Sequence, residues 1–147
     1  MKRILAFTLA FALNAFAHDE GHGPKLTDAP KQGGVVTSVV LAKDATLGTK
    51  AGLHYKAELV RSADGTVRVY YYDKTMTPLK TGTFSPTAKA ILITAKKGKV
   101  TTQNFEMKFV EDHFEGKAPK PSRKPYNIDV KVMEGEKELL AAFDNLD

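Results

Sequence analysis

Four histidines carry most of the chemistry open to this 147-residue chain, which contains no cysteine. They are His18, His22, His54 and His113, with Asp19, Glu20 and Asp112 as neighbouring oxygen donors and Met76, Met107 and Met133 as soft ones. Imidazole suits copper, zinc and nickel, and a nitrogen-rich set with oxygen donors suits Cu(II) in particular. The pair His18 and His22 matters most because of what precedes it. Lys2 and Arg3 form a positive start and Ile4 to Phe16 is largely apolar. Ala15 and Ala17 then put small residues at the two positions a signal peptidase reads.

Cleavage between Ala17 and His18 would make His18 the terminal residue. Its α-amine, which loses a proton near neutral pH, and its ring nitrogen can then chelate one metal. A cut after Ala15 is poorer, because Leu13 would hold the outer recognition position. It would leave His18 third from the terminus, itself a square-planar Cu(II) and Ni(II) binder. The expected cofactor is one Cu(II) or Zn(II) ion, with His22, His54 or His113 completing the site. His54 and His113, on a polar strand face and beside a turn, join it only if the fold brings them near the arm.

The elements that must position these groups follow from alternation and turns. In Leu53–Asp73, Leu53, Tyr55, Ala57 and Leu59 share one side of a strand, and His54, Lys56, Glu58 and Arg61 fall mostly on the other. Val67, Val69 and Tyr71 alternate in the same way with Arg68, Tyr70 and Tyr72. Asp64-Gly65 between them can supply the positive φ angles of a tight turn, which makes this a hairpin. Further strands are read at 35–41, 88–95, 100–110, 113–117 and 126–133. A last one at 137–143 has good helix formers but a hairpin context. Residues 43–52 read as a loop.

Seven to eight short strands with little helix predict an all-β fold, an antiparallel β-sandwich of immunoglobulin-like or cupredoxin-like outline. Domain organisation is read as a signal peptide at 1–17, a flexible His-containing arm at 18–34 and one β domain at 35–147. The mature chain would have 147 less 17, or 130, residues, a usual size for a single domain. Losing Lys2 and Arg3 leaves 20 basic residues against 17 acidic, a net charge of +3. That is weak ground for a polyanion, and no nucleic-acid partner is expected.

Export without cysteine excludes a disulfide framework and a lipid-anchor site, and no transmembrane segment is expected in the mature chain. The expected location is periplasmic or secreted. No nucleophile elbow or phosphate-cradling glycine loop occurs, so an enzyme is not expected. The stretch 118–125, with three prolines and Lys120, Arg123 and Lys124, reads as a solvated connection or a basic docking patch. A second function class is an interaction module that binds an envelope or efflux protein through an exposed sheet edge or a strip of Tyr70 and Tyr72.

The run from Tyr55 to Asp73, preceded by Gly33-Gly34-Val35-Val36 and a His-bearing arm, resembles small exported β-sandwich domains of the YtkA-like kind. Similar domains accompany heavy-metal efflux adaptor proteins. The resemblance spans roughly 18–79 and implies periplasmic metal handling or efflux without catalysis; it transfers only His18 and His22 as ligands. A looser similarity to copper-carrier sandwiches rests on the terminal histidine and the size.

Overall fold

The computed structural model describes residues 22–80 and 82–147, so the 1–17 signal segment and His18 lie outside the described residues. Eight strands form: β1 (Val35–Leu41), β2 (Tyr55–Arg61), β3 (Thr66–Tyr72), β4 (Thr87–Lys96), β5 (Lys99–Val110), β6 (His113–Lys117), β7 (Tyr126–Glu134) and β8 (Lys137–Leu146). All pairings are antiparallel, in the order β1-β2-β3-β6-β5-β4-β7-β8, and β8 returns to β1 to close a barrel. The chain therefore forms a closed barrel and not the expected sandwich. Closure occurs because β1 changes partner along its length. Val35 to Val39 pair with β2, and Val39 to Leu41 pair with Leu139–Ala141 of β8.

An eight-stranded barrel is just narrow enough for side chains to fill its interior. Ala57, Leu59, Val67, Val69, Leu92, Met107, Phe114, Ile128, Val130, Leu139 and Phe143 do so, each almost completely buried. The β2–β3 hairpin has the expected parity, with Ala57 opposite Tyr71 and Leu59 opposite Val69. The closing stretch after Gly135 is strand, as its hairpin context predicts. The stretch 43–52, read as a loop, is mostly part of a 3-10 segment, Ala42–Lys50, interrupted at Gly48.

Tyr71 is 6% exposed, and its hydroxyl has no hydrogen-bond partner among Phe84 and Phe114. Burial alone pushes its pKa up. Removing an unsatisfied buried hydroxyl relieves a desolvation cost, so Tyr71→Phe should stabilise the protein by about 1 kcal/mol in chemical unfolding.

The outer face of β2 is not solvated. Segment 22–34, expected as a flexible arm, lies along the barrel with several defined bonds. The Gly23 amide donates to the Gly48 carbonyl at 2.8 Å, and the Ser38 hydroxyl donates to the Pro24 carbonyl. Lys56, 7% exposed, meets Asp28 at 2.7 Å. Gly34 passes so close to β2 that an added Cβ would lie 2.2 Å from the Leu59 carbonyl oxygen, a contact only glycine permits.

Candidate functional site

The arm is held by one carboxylate. Glu58 is fully buried on β2, and its Oε1 accepts from the Gln32 and Gly34 amides at 2.8 Å each. Its Oε2 accepts from the Lys31 amide at 2.9 Å and the Tyr72 hydroxyl at 3.1 Å. A buried carboxylate is tolerated only when its lone pairs are met in this way. Tyr72, half of the expected aromatic strip, is thus 2% exposed and offers no docking surface.

At the upstream end of the arm, His22 is half-buried, and its Nδ1 lies 2.8 Å from the Ala45 carbonyl oxygen in the 3-10 segment. A carbonyl can only accept, so Nδ1 must carry the proton, and in the neutral ring the lone pair is then on Nε2. The next residue fixes the backbone. Gly23 has φ +103°, and an added Cβ would come within 2.7 Å of Ser38 Cβ. Met76, a soft donor in sequence terms, is 6% exposed in the Asp73–Pro78 turn.

His54 sits elsewhere. Its amide donates to Val39, and its Nε2 is 3.2 Å from Glu134 Oε1. The Tyr55 hydroxyl donates to Glu134 Oε2 at 2.5 Å, and the two rings meet edge to face at 4.7 Å. Burial raises the Glu134 pKa, but the bonds from Tyr55 and His54 outweigh it and hold the carboxyl below its usual range. The Glu134 bond, with burial added, pushes Tyr55 up to about 12.

These shifts set two pH windows. The folded pKa of Glu134 is depressed, so its contribution is present above the ordinary carboxylate value and lost as pH falls through the folded one. Tyr55 is raised, so its contribution is complete below its ordinary value of 10.0 and disappears as pH climbs through about 12. Thermal unfolding of wild type and Tyr55→Phe across pH 9–12 should show the variant losing less of its stability over that range.

His113, at the start of β6, occupies a third place. Its Nδ1 is 2.8 Å from Asp112 and its Nε2 3.5 Å from Glu115, which also accepts from Arg68 Nε at 2.8 Å. Tyr70, half-buried, lies against its ring at 5.0 Å between centroids. The structure does not bring His22, His54 and His113 together, and among the described residues no three His, Asp or Glu side chains converge as a metal site.

The barrel end beside the β2–β3 turn opens into a cleft of about 770 Å³. Leu59, Val67, Leu92 and Tyr126 are among its lining residues, with Lys120 and Lys124 from the proline-rich loop. Arg61, also at this cleft, already donates to the Tyr126 hydroxyl at 2.8 Å and to the main-chain oxygen of Asp147 at 2.6 Å. Sequence reasoning missed Glu58, Asp28 and Glu134 as organising groups. In the sequence, Gly33-Gly34 is the one signal that backbone packs closely against a neighbouring strand.

What these features define is a small closed antiparallel β-barrel with segment 22–34 strapped along one wall. No protein-family model matches the chain, and neither a curated protein nor a solved structure matches it.

Proposed function

We propose that this chain is an exported, non-enzymatic metal-binding protein that takes one Cu(II) or Zn(II) ion through its N-terminal arm and serves metal handling in the cell envelope. The observation that supports it is the His22–Ala45 hydrogen bond. A metal-binding imidazole characteristically donates its other ring N–H to a carbonyl or carboxylate, which fixes tautomer and orientation. His22 has that arrangement, with Nε2 as the atom left to bind. Export and cleavage after Ala17 would add the α-amine and ring nitrogen of His18, with Asp19 or Glu20 as oxygen donor. His54 and His113, each directed at carboxylates, are outside this set.

The test is spectroscopic. Processed wild-type protein with one equivalent of Cu(II) should show electron paramagnetic resonance hyperfine structure from nitrogen donors, and His22→Ala should lose one imidazole from that pattern. A spectrum indistinguishable from aqueous Cu(II) in the wild type would sink the reading. Because amine and imidazole must both be deprotonated to bind, apparent affinity should fall about tenfold or more between pH 7.5 and 6.

A further inference from the structure

The barrel closes only along part of β5. Its ladder to β4 runs the whole way from Lys99 to Lys108, but its ladder to β6 begins at Met107 and ends at Val110. Likewise β4 leaves β7 after Ile93. The β4–β5 hairpin therefore continues past the wall as a two-stranded ribbon, and Lys99 to Asn104 are all exposed. The two-residue turn Lys97-Gly98 makes Lys96 and Lys99 an exchanging pair. By the antiparallel alternation, Val100, Thr102 and Asn104 then direct their backbone N–H and C=O groups away from β4, where no strand pairs with them.

An exposed edge of this kind is a template for another strand. The charge at the ribbon tip is one-sided. Lys96, Lys97 and Lys99 cap the ribbon, and the loop 118–125, with Lys120, Arg123 and Lys124, lies along the other strand of the ribbon, β4. That loop is held on the ribbon by Thr94 Oγ1 and Ser122 Oγ at 3.3 Å and by Arg123 Nη1 approaching the Ala95 carbonyl at 3.5 Å. No Asp or Glu occurs from 94 to 105 or from 116 to 128. Among the described residues the ion pairs use Lys56, Arg68, Lys117 and Lys131 as well as His54 and His113, and none of these six cations. Val100, 47% exposed, adds an apolar contact on the same ribbon.

We propose that the free edge of β5 from Val100 to Asn104 docks an acidic, extended segment of a partner protein by strand addition. Main-chain bonds to Val100, Thr102 and Asn104 would hold the segment, and Lys96, Lys97 and Lys99 at the ribbon tip would select acidic side chains. The proposal is independent of metal binding.

The experiment titrates isotope-labelled, processed protein with a capped peptide of about eight residues alternating Glu and Val. Expected are shifts and exchange protection at the Val100, Thr102 and Asn104 amides, weakened by added salt. Thr102→Pro removes one outward N–H while sparing the β4 ladder, and should raise Kd about tenfold. Lys96→Glu with Lys99→Glu, on exposed positions, should weaken binding to a similar extent and serves if the proline variant does not fold. The same peptide with Gln for Glu should bind more weakly. Shifts confined to other strands, affinity unchanged in both variants, preferential binding to phosphatidylglycerol vesicles, or self-association through this edge would each overturn the proposal.

Discussion

Glu58→Ala should lower the free energy of unfolding by about 4 kcal/mol, a large fraction of the stability of a domain this size. The carboxylate is fully buried and takes four donors, three of them arm amides. Deleting it strands those donors in a site shielded from water and leaves a cavity above β2. Glu58→Gln keeps the volume but turns one acceptor oxygen into a donor facing donors, and should cost about 2 kcal/mol. Urea unfolding measures both. Hydrogen exchange should show the Lys31, Gln32 and Gly34 amides losing protection in Glu58→Ala well before the barrel amides do.

Replacing His18 and His22 together by Ala should weaken Cu(II) binding by about a thousandfold in competition with a chromogenic chelator. The two substitutions remove both arm imidazoles and leave only the α-amine and carboxylates. His22→Ala alone should cost less, since the terminal chelate survives. His54→Ala and His113→Ala should leave affinity unchanged, because those rings face Glu134 and the Asp112–Glu115 pair on other parts of the barrel. Thermal stability of the double variant should stay near that of wild type, since the His22 ring makes a single hydrogen bond to the barrel.

The strands were legible because each has a local cause. Asp64-Gly65 turns β2 into β3, Gly98 turns β4 into β5, Gly135 turns β7 into β8, and apolar parity picks the buried face. Barrel closure was not, because alternation distinguishes an inner from an outer face without saying whether the inner face meets a second sheet or curves back on itself. The switch of β1 at Val39 from β2 to β8 decides it, and it is a long-range pairing with no local signature. Lys56, Glu58 and Tyr72 misled for a related reason: polarity placed them on the outer face correctly, yet that face lies under the arm. That His22 would find a carbonyl in the Ala42–Lys50 segment depends on tertiary packing across 23 residues.

The most direct measurement is native mass spectrometry of the protein exported and processed in a bacterial host, with Cu(II) and Zn(II) titrated in. It reports the first residue and the metal stoichiometry together. The account predicts a chain that begins at His18 and holds one copper ion, which the His18→Ala, His22→Ala double variant releases. A chain that begins elsewhere, or one that retains no metal at micromolar concentrations, would contradict it.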